Sequence, residues 1–327
     1  MPRQARLDCS GTLHHVMVRG IEKRKIVDDE KDRDRFVSRL GQCASDTKTA
    51  IYAWALLPNH AHLLLRSGPR GLASFMRRFL TGYAVTYNLR HRRHGHLFQN
   101  RYKSIVCDED SYFTELVRYI HLNPLRAKEV RDLSDLAGYS WCGHSVLMGT
   151  IKRPWQERNY VLSWFGKREG EARRAYKAYV KEGAAQGSRP DLVGGGLIRS
   201  MGGWSEVMSL RRSKEKALCD ERILGSGEFV EGVLREAEEK VRHQLSGEER
   251  RLNAARMIRE VCKTEGIGIE ELRGGSRRGR LPEIRLNLAD RLIEEYGLSL
   301  AEIGRQLGIT TSAVSQAVRK REKSYST

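Results

Sequence analysis

The stretch LLPNHAHLLL, Leu56–Leu65, sets two histidines one residue apart inside an apolar run. An apolar run of this length bounded by turn formers reads as a buried strand, and Pro58 with Asn59 marks the turn or kink ahead of it. On a strand, residues i and i+2 share a face. His60 and His62 therefore project together, and Ala61 points the other way. Two imidazoles at that spacing can hold one divalent cation. They can equally be a pair of satisfied histidines near a strand end, and the spacing alone leaves both readings open.

The flanking segments give this strand its partners. Tyr52, Trp54 and Leu56 alternate before the turn, so IYAWALL pairs with HAHLLL as a second strand. Further upstream, LHHVMV (Leu13–Val18) is strand-like, and the spacing of Phe36, Leu40 and Cys43 predicts a helix over Asp29–Lys48. Downstream, Phe75, Phe79, Tyr83 and Tyr87 recur every fourth residue in a helix over Leu72–Arg90. The basic loop RHRRHGHLFQNRYKS then leads to a strand at Ile105 and Val106. A third helix starts between Asp110 and Tyr112 and carries Phe113, Leu116, Val117 and Ile120. This order of strands and helices is an α+β pattern, a small sheet with helices on one face.

At 327 residues the chain has room for more than one domain. With 39% hydrophobic and 31% charged residues it is neither disordered nor membrane-embedded in composition, and it lacks the roughly 18 uninterrupted apolar residues of a spanning helix. The N-terminus has no apolar core of a secretory signal, which points to the cytoplasm. An excess of 59 Lys and Arg over 41 Asp and Glu, a net charge of +18, points to a polyanionic partner. None of the six cysteines forms a C-x-x-C pair, which argues against a zinc ribbon. Texture divides the chain into residues 1–148, a partly helical connector over 149–246, and a helical region over 247–327. In the connector, RPWQERNYVLSWFG reads as a helix, GAAQGSRPDLVGGG as a loop, and ERILGSGEFVEGVLREAEEKV as a return to helix.

The last region ends in LSLAEIGRQLGITTSAVSQAVRKREK. Ser299 can cap a first helix with Ala301, Ile303 and Leu307 on its apolar face, and Gly308 can stop it. Thr310 or Thr311 caps a second helix in which Ala313, Val314 and Val318 face the first. Thr311, Ser312, Ser315, Gln316 and Arg319 then point outward, as in a helix-turn-helix that reads base edges. Arg277, Arg278 and Arg280 of the preceding loop RGGSRRGR add phosphate contacts. Val261–Lys323 resembles the C-terminal duplex-binding domain of the bacterial replication initiator. The resemblance covers the scaffold only, because TTSAV stands where that family has an Asp-His pair.

The chemistry of the first region turns on LVRYIHLNPLRA, Leu116–Ala127. A helix puts Tyr119 and Asn123 on one face, a turn apart. Spacing by itself favours a core tyrosine with a helix-ending asparagine. Together, however, PNHAHLLL, LFQNRYKS, YIHLNPLRA and the trailing GYSWCGHSV resemble the single-tyrosine HUH transposases, in the REP-associated tyrosine transposase (IS200-like) branch. The resemblance spans about Gly11 to Met148. It implies a ferredoxin-like antiparallel sheet with helices, the HUH nuclease fold. It further implies that His60, His62 and Asn123 bind Mg²⁺ or Mn²⁺ and that Tyr119 is the nucleophile. The activity implied is endonucleolytic cleavage and rejoining of single-stranded or hairpin DNA through a 5′-phosphotyrosine, in a monomer or homodimer. Arg90, Arg92, Arg93, Arg101 and Lys103 would track the strand backbone, and Phe98, Tyr102 or Trp54 could stack on bases, although Trp54 is better read as core. His14 and His15 open the first strand, where one of them could approach the site, but a structural role is the preferred reading, and His121 is left out of the metal site. A nucleoid-associated protein is expected, with duplex DNA as partner of the C-terminal region. The competing reading is a domesticated, non-catalytic protein that binds hairpin DNA.

Overall fold

Strand β1 (Leu13–Arg19) is the central strand of the sheet, paired on both edges. It runs antiparallel to β3 (His60–Arg66) on one side and to β4 (Lys103–Cys107) on the other. Strand β2 (Ala50–Leu56) pairs with β3 across the Pro58 turn, with a bulge between Ile51 and Ala53. Helix α1 (Glu30–Thr47) connects β1 to β2; Asp29 caps its start by accepting from the Asp32 amide, and Lys48 ends it in the left-handed conformation. Helix α2 (Gly71–Arg90) connects β3 to β4. The order β2-β3-β1-β4 is the antiparallel arrangement expected from the sequence. A fifth strand, β5 (Ile223–Leu224), adds to the β4 edge in parallel and makes the sheet mixed. The computed structural model describes residues 7, 11–99, 102–185, 192, 220, 222–241, 247–276 and 279–324.

Helices cover both faces of the sheet, not one. The face that carries His62 also carries Ala55, Leu64 and Ile105, and these pack against Phe113, Leu116, Val117 and Ile120 of α3 (Glu109–His121). On the other face Trp54 packs on Trp155 with ring centroids 5.5 Å apart, and α1 packs against β2. Trp54 is thus core, and its indole N–H donates to Gln156 Oε1 at 2.9 Å.

The chain divides into two compact units, Met1–Phe75 with His96–Arg242, and Met76–Gly95 with His243–Thr327. The first unit continues well beyond residue 148. After the short helices α4 (Asn123–Arg126), α5 (Leu133–Gly138) and α6 (Gly143–Leu147), the chain returns to the open edge of β2. There the Leu56 amide donates to Trp141 O at 2.9 Å and the Glu157 amide to Ile51 O at 2.8 Å. Buried Gln156 donates from Nε2 to the carbonyls of Tyr52 and Gly143, both at 3.2 Å. These contacts cover an edge that would otherwise be free to pair with another chain. The helix read over RPWQERNYVLSWFG is shorter than that, α7 (Arg158–Ser163), because Trp155 and Gln156 are used at the sheet edge. Phe113 stacks on Trp164 at 5.0 Å and meets Tyr160 edge-on at 5.5 Å. Helix α8 (Glu169–Ala184) lies so close to α3 that a side chain at Gly183 would collide with Arg118, whose guanidinium sits 4.0 Å over the Tyr179 ring. After β5, α9 (Gly227–Val241) buries Val230 and Val233 against Val106 and Ile223.

The second unit holds α10 (Gly247–Glu265), α11 (Ile269–Arg273), α12 (Leu281–Glu294), α13 (Leu300–Leu307) and α14 (Thr311–Ser324). Their core is Ile258, Leu272, Leu288, Leu292, Ile303, Leu307 and Val314. Ser299 and Glu302 form a reciprocal capping box at the start of α13. Between α13 and α14 the chain turns through Gly308 at φ +68°, and a side chain at Gly304 would meet Ile309 O at 2.7 Å. Thr310, of the two candidate caps, receives the Ala313 amide at 3.1 Å. Buried Arg285 donates to the carbonyls of Leu272 (2.7 Å) and Ser276, which anchors one end of the basic loop.

In the first unit the Tyr176 hydroxyl of α8 is shared between His121 Nδ1 at 2.8 Å and His144 Nδ1 at 2.6 Å, all three buried. Burial first, and then the charge of Lys177, brings the His144 pKa down to about 4. An unfolded His144 takes up a proton near pH 6.5, so the folded state loses stability as pH falls from about 6.5 to about 4, by up to about 1.4 kcal/mol per pH unit. Below that window both states are protonated and the loss levels off. Denaturant titrations from pH 7.5 to 4 should give this fall in wild type and a smaller one in His144→Gln. In the same series Tyr176→Phe should cost about 1–3 kcal/mol at pH 7.5, because two buried ring nitrogens lose their partner.

Candidate active site

Helix α3 ends where proline dictates. Pro124 suits the first turn of the next helix, α4, and cannot extend α3. Asn123 satisfies the carbonyls left over: its Nδ2 donates to Tyr119 O at 3.0 Å and to Ile120 O at 3.3 Å. Carbonyls only accept, so the amide nitrogen must lie on this side, and Oδ1 is turned away from both of these carbonyls. The bond reaches the Tyr119 backbone and not its phenol, because the helix expected to carry both residues ends at His121 and Asn123 opens the next one.

Tyr119 is half-buried over the sheet face that carries the histidines. Its ring meets His62 edge-on, with centroids 5.9 Å apart, and His62 meets His60 edge-on at 5.3 Å. His60 Nδ1 lies 2.7 Å from Asn59 Oδ1. The Asn59 amide orientation is fixed, since its Nδ2 donates to Lys23 O at 3.1 Å. Asn59 Oδ1 can only accept, so His60 carries its proton on Nδ1, and its Nε2 lone pair is uncommitted by this bond. Burial, and after it the charge of Arg19, lowers the His60 pKa to about 4. Burial likewise holds His62 well below its ordinary value, with His15, His60 and Arg19 adding to the effect. Both imidazoles are neutral near pH 7, which is the form that binds a metal. Two neutral imidazoles and an amide oxygen fit a divalent cation with open positions for a substrate oxygen.

Three residues not assigned to the site from sequence join it. His15 Nε2 lies 3.0 Å from His62 Nδ1, and its ring is edge-on to Tyr119 at 5.9 Å. Of the two histidines that open β1, His15 is thus the one that approaches the pair: alternation in LHHVMV put it on one strand face, but only the β1–β3 register shows which face. Arg19 stands directly opposite His60. The Arg126 guanidinium lies 5.2 Å over the Tyr119 ring, within the motif that carries the tyrosine.

The expected nucleic-acid contacts are distributed more widely. Exposed Lys103 is opposite Met17, which is opposite His62, so it is on the histidine face. Arg90, Arg92 and Arg93 belong to the second unit, where Arg93 lies 5.7 Å over the Tyr87 ring. Phe98 is buried and is not exposed for stacking. Thr311, Ser312 and Gln316 are exposed and Ser315 is half-exposed on α14. Arg280 pairs with Glu265 at 3.1 Å. Arg101, Arg277 and Arg278 lie outside the described residues, as does the side chain of Arg319. His121 is engaged with Tyr176, in keeping with its omission from the metal set.

Residues 9–123 match the family model described as "Transposase IS200 like". The matched span ends at Asn123 and includes both histidines and Tyr119. Among solved structures, the chain is similar to a REP-associated tyrosine transposase bound to a REP hairpin, at 14% identity and a TM-score of 0.38, over 48% of this chain and 98% of that one. No curated protein matches the chain. Among the described residues, no helix is long and apolar enough to cross a membrane.

Nitrogen-15 correlation spectra of the histidine rings should give the Nδ1–H tautomer for His60. Asn59→Ala should shift that ring toward the Nε2–H form. An unchanged His60 pattern in Asn59→Ala would show that Asn59 does not set the tautomer.

Proposed function

We propose that the protein is a metal-dependent DNA transposase that cleaves and rejoins single-stranded or hairpin DNA through Tyr119. The match to IS200-like transposases supports the coarser statement, a DNA transposase. The finer reading is carried by one observation: the Tyr119 ring lies edge-on to His62, while Asn123 is bonded to the Tyr119 carbonyl. A lone tyrosine in a core would not bring two neutral imidazoles with it.

In this mechanism His60, His62 and Asn123 would hold the cation. Mg²⁺ or Mn²⁺ bound there would supply polarisation of a phosphate oxygen and charge neutralisation. The Tyr119 oxygen attacks phosphorus, an O–P bond forms, and the bond from phosphorus to the 3′ oxygen breaks. The phenolic proton leaves to solvent and the departing 3′ oxygen gains one, so a 3′-hydroxyl and a 5′-phosphotyrosine result. The phosphoester is kept, and a 3′-hydroxyl can reverse the step and join strands. Arg19, Arg126 and Lys103 supply positive charge around the phosphate. For the second unit we propose duplex binding, with Thr311, Ser312, Ser315, Gln316 and Arg319 at base edges and Arg277, Arg278 and Arg280 on phosphates.

Incubation with labelled hairpin-bearing single strands and Mn²⁺ or Mg²⁺ should yield a covalent adduct on a denaturing gel. Chelation should prevent it and Tyr119→Phe should abolish it. Adduct formation by Tyr119→Phe would sink the nucleophile assignment, and no adduct with any strand would favour a binding-only protein. Gln316→Ala should weaken specific duplex binding by about 1–3 kcal/mol and leave the adduct intact; equal loss of both would argue against separate roles.

A further inference from the structure

The partner of His62 is unusual for a histidine in such a site. His15 is fully buried on β1, and its ring stacks on His62 with centroids 5.3 Å apart and an interplanar angle of 29°. The register makes this contact inevitable: Met17 is opposite His62 and His15 opposite Leu64, so His15 is the diagonal neighbour of His62 on the same face. A hydrogen bond between two imidazoles requires one ring nitrogen with a proton and one without. The Nε2 to Nδ1 distance of 3.0 Å leaves two arrangements. If His15 donates, His62 is left with its proton on Nε2. If His62 donates from Nδ1, its Nε2 lone pair is open. His60 already has the second arrangement, imposed by Asn59.

We propose that His15 is a positioning residue that accepts the Nδ1 proton of His62, fixes the ring, and presents the Nε2 lone pair of His62 to a divalent cation. This rests on the reading of His60 and His62 as ligands. Ligating histidines ordinarily donate their other N–H to a carboxylate, carbonyl or water, and that partner sets tautomer and orientation. Here the acceptor is a neutral imidazole. It orients His62 without lending it the anionic character that a carboxylate partner would. Asn59 does the same for His60, so the two ligands have matched, uncharged supports.

Two measurements test this on the full-length protein. Ring nitrogen-15 spectra without metal should give His62 as the Nδ1–H tautomer; His62 as Nε2–H would overturn the proposal. Calorimetric titration with Mn²⁺ should then give an affinity about 10- to 100-fold weaker for His15→Leu. His15→Gln, whose amide oxygen can stand near the position of Nε2, should retain most of the wild-type affinity. Equal losses in both variants would mark His15 as a packing residue, and wild-type affinity in folded His15→Leu would also overturn the assignment. If His15→Leu does not fold, as judged by its thermal melt, the His62 tautomer in wild type and His15→Gln decides. Failure of wild type to bind Mn²⁺ would remove the metal reading itself, whereas Mn²⁺ binding unaffected by His15→Leu removes only the role of His15.

Discussion

The packing of α3 across the histidine-bearing face of the sheet is the constraint from which the site follows. Phe113, Leu116, Val117 and Ile120 bury themselves on Ala55, Leu64 and Ile105, and the helix can turn only one way to do so. That rotation leaves Tyr119 half-buried at the margin of the interface, edge-on to His15 and His62. A rotation by one residue, about 100°, would exchange an apolar knob for Arg118 and move the phenol away. Apolar packing thus fixes a polar geometry.

The parts of this arrangement that were legible in the sequence are those with a short period. The H-x-H pair shares a face because strands repeat every two residues, and α1 and α3 are marked by apolar spacing. Tyr119 and Asn123 were identified by spacing and resemblance, but their connection is a side-chain bond across a helix end that no period encodes. His15 was illegible for a different reason. Its role depends on which residue of β3 lies opposite Met17, and strand register is a long-range property. The same holds for β5, two residues long and recruited from more than a hundred positions away.

The segment beyond residue 148 teaches a related lesson. Its composition gave no sign of belonging with the sheet, since Trp155, Gln156, Tyr160 and Trp164 form no regular pattern. Each meets a distant partner: Trp54 for Trp155 and Gln156, Glu109 for the Tyr160 hydroxyl at 2.5 Å, Phe113 for Trp164. Through these residues and through Tyr176, elements α7 and α8 buttress both ends of α3. The helix that carries Tyr119 gains precision from such support, because side-chain placement is inherited from the backbone beneath it.

Charge is divided in a way that suits the proposed reaction. The chain as a whole is strongly basic, yet His60, His62 and Asn123 are uncharged, the histidines because burial disfavours their protonated form. A carboxylate-rich set would hold a divalent cation more tightly but would cancel its charge before a phosphate arrived. Neutral ligands leave that charge for the substrate, and low imidazole pKa values mean that few protons must be displaced on binding. The cost is weak intrinsic affinity, which makes ring orientation matter more. In the proposed site Asn59 and His15 would meet that need, one from the turn before β3 and one from the neighbouring strand, and neither adds a negative charge.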